Sequence, residues 1–258
     1  MSDVQIIDLT PETIAAYGVC GYKNVKKHLE LRRKLAWFHE YYPRGLRIKA
    51  LVSPQGGYQG MVEYLPGQYA HRPVEADGYL FIHCIFVGFR NEFKGKGYGS
   101  ALIDACIRDA QQAQMQGVAV VTRNGPFMAR QDLFLKKGFT VVDTTPPDFQ
   151  LVALKFHPHA ADPAFRELQP ALEPYGDGLY ILRSPQCPYT EKNVNAICAS
   201  ARERFHLTAH VIDLPDSTAV QRSPCAFGTF CLLYNGEILS HHPISNARFI
   251  NIMTTRLP

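Results

Sequence analysis

Phe93-Lys94-Gly95-Lys96-Gly97-Tyr98-Gly99-Ser100 is the stretch on which the reading of this chain turns. It stands between the most apolar run of the sequence, residues 78–87, and a helical pattern over residues 99–116. Glycines at alternate positions strip side chains from the loop, so its backbone N–H groups can gather around an anion. A helix starting there adds the partial positive charge of its N-terminus, and Lys94 and Lys96 add full charges. A pyrophosphate is the group such a loop is built to hold. The spacing is not that of a Walker A loop, because no upstream glycine precedes a Gly-Lys-Ser/Thr run. Nor is it a dinucleotide fingerprint, which would need glycine where Ser100 stands. Taken alone, the segment also reads as a glycine-rich strand-to-helix turn.

Outward from the loop, the first half alternates strand and helix patterns. Residues 4–8 form a short strand candidate, and Thr10-Pro11-Glu12-Thr13 looks like a helix start with proline in the first turn. Residues 25–39 place Leu29, Leu31, Leu35, Trp37 and Phe38 among many charges, the pattern of an amphipathic helix, and Pro43-Arg44-Gly45 stops it. Lys26-Lys27 and Arg32-Arg33-Lys34 read as the solvated face of that helix. Strands are expected over 46–52, 57–65 and 78–87, divided by Ser53-Pro54-Gln55-Gly56 and by the loop around Pro66-Gly67. After the glycine loop come the helix over 99–116, with Gly117 in the position that follows a helix C-terminus, then a buried strand over 118–122. A short helix over 129–137 and a last strand over 149–156 complete the half.

Residues 157–176 include Pro158, Pro163, Pro170 and Pro174 and read as an inter-domain linker. The second part, 177–258, restarts with a strand at 179–182, a helix over 191–205 and a strand over 208–214. A hairpin then runs through Asn235-Gly236, and Ser245 caps a closing helix. Strand–helix–strand followed by hairpin–helix is a thioredoxin-like order.

Lys94-x-x-Gly97-x-Gly99 resembles the Arg/Gln-x-x-Gly-x-Gly/Ala signature of the GNAT N-acetyltransferases, and Phe134-Leu135-Lys136-Lys137-Gly138-Phe139 is similar to that family's Tyr-x-x-x-Gly-Phe ending. The resemblance covers about residues 4–156. It implies an α/β (α+β) fold with a mixed central sheet and residues 1–156 as an acetyl-CoA-binding catalytic domain. By the resemblance, the backbone of Ile85, Phe86 and Val87 holds the pantetheine arm. Lys94, Gly95, Lys96, Gly97, Tyr98, Gly99 and Ser100 hold the pyrophosphate, and Asn124 and Phe134 lie beside the cofactor. It also implies direct attack of a primary amine on the thioester, after a base has removed the ammonium proton. Two positions depart from the pattern. Lys94 stands for the usual Arg or Gln, and Phe134 stands where a tyrosine commonly protonates the leaving thiolate. Residues 87–94 are also slightly longer than the family's spacing.

For the base the candidates are His83, on the central strand on the face expected to carry Phe81, Ile85 and Val87, and Glu63 on a neighbouring strand. Each also reads as a structural residue, His83 in the core and Glu63 at an edge or surface. Cys20 and Tyr22, in the glycine-flanked run Gly18–Tyr22, fall where this fold shapes its acceptor site. In the second part, Arg183-Ser184-Pro185-Gln186-Cys187-Pro188-Tyr189-Thr190 resembles a glutaredoxin Cys-Pro-Tyr-Cys site with Thr190 replacing the second cysteine. A cysteine at a helix N-terminus has its thiolate favoured. Gly228 stands where the thioredoxin fold has a cis-proline. The combination resembles the YoaP-like acetyltransferases. Cys187 and Cys225 are candidates to approach each other as a soft-metal thiol pair, although no metal is the overall expectation. The pairs His157/His159 and His241/His242 read as surface residues.

Composition bounds the rest. The chain has 258 residues, 46% of them hydrophobic and 19% charged, which is globular. Seven cysteines without a CxxC pair exclude a disulfide scaffold and a zinc ribbon. Residues 1–155 carry 19 Lys and Arg against 14 Asp and Glu, enough to attract an anionic cofactor and too little to imply nucleic acid. No run of ~18 apolar residues is present, and the N-terminus lacks a signal pattern, so a cytoplasmic, non-membrane protein is expected. The sequence thus leads to an acetyl-CoA-dependent N-acetyltransferase acting on a small-molecule or peptide amine, with an accessory C-terminal module. A CoA-binding or thiol-sensing protein with little transfer is the alternative.

Overall fold

The apolar alternation of the first half is satisfied by one mixed sheet. In the computed structural model, residues 4–22, 27–28, 30–54, 57–88 and 91–257 are described. The expectations placed on Val25, Lys26, Leu29, Gln55 and Gly56, and part of the strand-to-loop segment 87–94, lie outside those residues. The elements are β1 Gln5–Leu9, α1 Leu31–Tyr41, β2 Arg47–Ser53, β3 Gly57–Pro66, β4 Val74–Glu75, β5 Tyr79–Val87, α2 Tyr98–Gln112, β6 Gly117–Thr122, α3 Asp132–Leu135, β7 Thr140–Thr145, β8 Phe149–Lys155 and β9 Ala164–Phe165. The chain divides into two compact units: residues 1–70 with 74–165, and residues 71–73 with 166–258.

In the first unit seven strands lie in the order β1-β2-β3-β5-β6-β8-β7. All neighbours are antiparallel except β5 and β6, which run parallel with α2 as their crossover. One face of the sheet, with Val62, Tyr64, Leu80, Ile82, Val118, Val120 and Val152, packs on Leu102, Ile103, Cys106 and Ala110 of α2 and on Phe134 and Phe139. These helical positions recur every three or four residues, so one stripe of α2 faces the sheet. On the opposite face α1 brings Trp37 to His83 of β5, with ring centroids 6.2 Å apart.

Several expectations shift. The helix opened by Thr10-Pro11 is only a 3-10 turn, Ile14–Ala16. α2 stops at Gln112, and Gln114, not Gly117, takes the left-handed backbone (φ 54°) after it. Gly117 opens β6, and its reason for being glycine is different: a Cβ there would stand 2.2 Å from the Leu154 carbonyl oxygen across the β6–β8 pair. The short helix is confined to Asp132–Leu135. β7, which the sequence reading omits, is an edge strand whose outer residues stay in solvent, with Val141 42% exposed. An edge strand needs no continuous apolar face, so the alternation that reveals strands is weak there.

The second unit contains β10 Leu179–Arg183, α4 Val194–Phe205, β11 Ala209–Asp213, α5 Ser217–Gln221, β12 Phe230–Tyr234, β13 Glu237–Ser240 and α6 Asn246–Arg256. The sheet order is β11-β10-β12-β13, with β10 parallel to β11 and the other pairs antiparallel. Asn235 (φ 50°) and Gly236 (φ 79°) both take positive φ at the hairpin, the backbone that a two-residue primed turn requires. The Ser245 hydroxyl accepts from the Arg248 N–H at 3.2 Å and caps α6. Phe249 of α6 meets Phe205 of α4 edge-on, with centroids 6.0 Å apart.

Candidate active site

Two backbone features converge at the C-terminal end of β5. The first is a divergence of strands. β5 pairs with β6 only from Tyr79↔Gly117 to Ile82↔Val120. β5 continues to Val87 along β3, whereas Val121 and Thr122 of β6 pair with Leu151 and Gln150 of β8. The parallel pair therefore opens just where Ile85, Phe86 and Val87 lie, all half-buried.

The second feature is the glycine loop. Gly95 (φ 68°) and Gly97 (φ 80°) both adopt left-handed backbone, and Gly97 is the residue from which α2 starts. A Cβ on either would meet nothing within 4 Å, so the space in front of them is open. Lys94, Gly95, Lys96 and Gly97 are exposed, and Tyr98, Gly99 and Ser100 are half-buried in the first turn. No side chain caps α2, and its first backbone bond to a helical acceptor runs from the Ala101 N–H to the Gly97 oxygen at 3.0 Å. Open space, bare backbone and a helix N-terminus fit an anionic group.

The base candidates lie on the α1 face of the sheet. Glu63 opposes Cys84, and Tyr64 opposes Ile82, so β5 carries a bulge in which His83 and Cys84 together face Glu63. This corrects the expected side-chain parity. Phe81 and His83 share one face, with ring centroids 5.4 Å apart. Ile85 and Val87, beyond the bulge, pack with the α2-side core instead. His83 Nδ1 lies 3.9 Å from Glu63 Oε1, and the other Glu63 oxygen takes an ion pair from Lys34 Nζ. The side chains of Lys34, Glu63 and His83 are all 0% exposed.

Lys34 is the residue that sequence reading missed: instead of a solvated face it enters the core, with Nζ 4.1 Å from the Trp37 ring centroid. The indole and the carboxylate replace the water that this ammonium gives up. A charge in the run Arg32-Arg33-Lys34 carries no local signal of which member points inward.

Cys20, with left-handed backbone (φ 52°), closes over the same face. Its N–H points to Met61 Sδ at 3.4 Å, and its carbonyl oxygen accepts from the Tyr58 hydroxyl at 2.8 Å. A hydrogen bond with Cys84 and burial push the Cys20 thiol well up, so it stays protonated. Tyr22 bridges back to Val19 and stands edge-on to His28, with centroids 4.7 Å apart.

The remaining candidates scatter. Asn124 is exposed and lines a cleft of about 220 Å³ with Arg123, Arg130, Gln131, Asp132, Asp148 and Gln150. Phe134 is 0% exposed, packed on Phe139 inside the core rather than presented to the cleft. In the second unit, Cys187 precedes only a 3-10 turn, Pro188–Thr190, and α4 starts at Val194, so no α-helix N-terminus acts on this thiol as expected. Thr190 uses its hydroxyl on the turn itself, donating to the carbonyls of Cys187 (2.8 Å) and Ser184 (2.9 Å). Among the described residues no group of three or more His, Cys, Asp or Glu is arranged to hold a metal ion. Cys225 keeps other company: its sulfur lies 3.1 Å from Nδ1 of His241, which is therefore more than a surface histidine.

The sheet with its opened parallel pair and the bare glycine loop are the arrangement expected of a GNAT acetyltransferase fold. Residues 19–139 match the acetyltransferase (GNAT) family, and residues 209–251 match the YoaP-like family. The chain carries a GNAT acetyltransferase domain followed by a YoaP-like region. Along nearly its whole length it is similar to the protein named Uncharacterized N-acetyltransferase YoaP of Bacillus subtilis (strain 168): 26% identical over 252 residues, covering 96% of this chain and 98% of the relative. Solved structures with likeness include a GNAT family acetyltransferase from Brucella melitensis in complex with acetyl-CoA (16% identity, 64% of this chain and 97% of that one, TM-score 0.40). Another is the GNAT family N-acetyltransferase YhbS from Escherichia coli in complex with CoA (13% identity, 64% and 90%, TM-score 0.39). No helix among the described residues is long and apolar enough to cross a membrane.

Proposed function

We propose that the chain is an acetyl-CoA-dependent N-acetyltransferase that moves an acetyl group to a primary amine of a small molecule or peptide. The observation that carries this reading is the opening of β5 from β6 beyond Ile82↔Val120, with the exposed loop Lys94–Gly97 downstream on the same strand-to-helix connection. In this assignment the loop amides and the two lysines take the pyrophosphate, and the backbone of residues 85–87 takes the pantetheine arm. Residues 1–156 are the catalytic domain, 157–176 the connection, and 177–258 an accessory module of thioredoxin-like type.

The chemistry asked of the protein is modest. An alkylamine with a pKa near ~10.4 must lose a proton before it attacks. The nitrogen then bonds to the acetyl carbon, the C–S bond breaks, and the CoA sulfur leaves with the electron pair and is protonated. His83, at the bulge where the strands part, is assigned to the proton from the amine. Glu63 stabilises the charge that develops on the imidazole, and Lys34 holds the other Glu63 oxygen in an ion pair. Phe134 has no proton to give, so the leaving sulfur takes one from solvent.

One observation favours a second reading, a CoA-binding or thiol-sensing protein with little transfer: His83 and Glu63 have side chains 0% exposed, and Phe134 is wholly buried. Turnover separates the two. The full chain is incubated with acetyl-CoA and a panel of primary amines, and acetylated products are followed by mass spectrometry, which avoids background from the seven cysteines. The transferase reading expects an acetylated amine that disappears with His83→Asn. Stabilisation by acetyl-CoA without product from any amine supports the second reading. Absence of any response to a CoA species defeats both.

A further inference from the structure

Three reactive groups of the second unit are not used by the transfer step proposed above. Cys225 and Cys231 are both 0% exposed, in the loop before β12 and on β12. Each thiol shifts the titration of the other, which makes the two sulfurs neighbours. Cys225 also has the His241 ring beside it, with Sγ 3.1 Å from Nδ1, and the His241 carbonyl oxygen 3.7 Å away. His241 follows β13 and is half-buried. Among the described residues, the titratable groups that act on Cys225 are Cys231 and His241.

We propose that Cys225 and Cys231 are a peroxide-reactive dithiol in which Cys225 is the attacking sulfur, His241 the proton donor and Cys231 the resolving thiol. The Cys225 sulfur attacks one oxygen of a hydroperoxide, the O–O bond breaks, and the leaving oxygen takes the proton from His241. For hydrogen peroxide this gives a sulfenic acid on Cys225 and one water. The Cys231 sulfur then displaces the hydroxyl, releasing a second water and closing a Cys225–Cys231 disulfide. Two thiols are oxidised by two electrons, and one peroxide is reduced to two waters.

The geometry selects both partner and oxidant. Cys231 is the neighbouring thiol of Cys225, which makes it the group placed to close a disulfide. Hydrogen peroxide, with two heavy atoms, needs a smaller opening than a bulky disulfide does to reach two cysteines that are 0% exposed. The electrostatics agree. Burial alone pushes the Cys225 thiol up, but hydrogen bonds from Cys231 and His241 and the His241 charge outweigh it and bring it down to about 5. Burial and its negative neighbour push Cys231 well up, which keeps a proton on the resolving thiol.

The test uses the reduced full chain, hydrogen peroxide and, in a separate arm, oxidised glutathione, with peptide mapping under non-reducing conditions. A Cys225–Cys231 linked peptide is expected in the peroxide arm before modification of Cys187 or Cys198, the half-buried cysteines of the same unit. Cys231→Ser is expected to stop the reaction at a sulfenic acid on Cys225 that dimedone traps. If that variant does not fold, the wild-type rate still decides. Loss of the Cys225 thiol is expected to change less than twofold between pH 6 and 8, whereas Cys198, whose thiol burial raises, gains about tenfold per unit. Earlier oxidation of Cys187 or Cys198, a link from Cys225 to Cys187, a product formed by glutathione disulfide alone, or a Cys225 rate that climbs with pH like that of Cys198 would each overturn the proposal.

Discussion

Lys34 and Glu63 hold opposite charges in a place with no solvent, so each depends on the other. Lys34→Met leaves an uncompensated carboxylate and Glu63→Gln an uncompensated ammonium, and each is expected to cost about 3–5 kcal/mol. The double variant is expected to recover much of that loss, because replacing both partners removes the stranded charge along with the pair. Urea unfolding of the two single variants and the double variant measures the coupling, and purely additive losses would contradict it. Phe134 sits in the position where the family pattern has a hydroxyl, yet it is 0% exposed and packed on Phe139. Phe134→Ala is expected to cost about 3–5 kcal/mol by cavity formation. Acetylation per folded molecule should be preserved at a temperature where the variant remains folded. Neither role was legible in the residue names alone: Lys34 looked like one more surface charge, and Phe134 was assigned to the cofactor by motif position.

At the scale of elements, the glycine loop and Gly117 illustrate two different uses of a missing side chain. Gly97 has left-handed backbone and open space before it, so Gly97→Ala is expected to cost only about 1–2 kcal/mol of backbone strain. Gly97→Glu would put a carboxylate where the anion is proposed to sit. It is expected to remove stabilisation by acetyl-CoA while leaving the free protein folded. Gly117→Ala fails differently, because its Cβ would strike the Leu154 carbonyl oxygen and force β6 from β8 at a cost of about 1–3 kcal/mol. Amide hydrogen exchange should show that loss along the β6–β8 ladder. The central elements were legible, since β5, β6 and α2 bury apolar residues at the periods of strand and helix. The bulge at His83 was not, because it is a property of the pairing between β3 and β5 rather than of either strand.

For the whole molecule, binding is measured by its effect on unfolding. Acetyl-CoA at a hundredfold excess over its dissociation constant is expected to stabilise the unit that binds it by about 2.7 kcal/mol. For a unit of this size that is a rise in Tm of about 5–10 °C. NAD is expected to give none, because the glycine spacing departs from the dinucleotide fingerprint at Ser100. A melt unmoved by any CoA species would sink the assignment of the loop. Added salt should reduce the shift, since the basic excess lies in residues 1–155, with 19 Lys and Arg against 14 Asp and Glu.

By itself the sequence determined what is local. The loop chemistry of Lys94–Ser100, the strand and helix periods, the Asn235-Gly236 turn and the Ser245 cap are all set by residues close in the chain, whose backbone preferences act before any distant contact forms. Tertiary structure alone decided which groups meet. Lys34, Glu63 and His83 belong to a helix and two strands, and they come together only because a bulge puts His83 beside Cys84 opposite Glu63. Cys225, Cys231 and His241 likewise become neighbours only once the loop, β12 and the turn after β13 are packed. Such meetings depend on sheet register, where a one-residue shift sends a side chain to the opposite face.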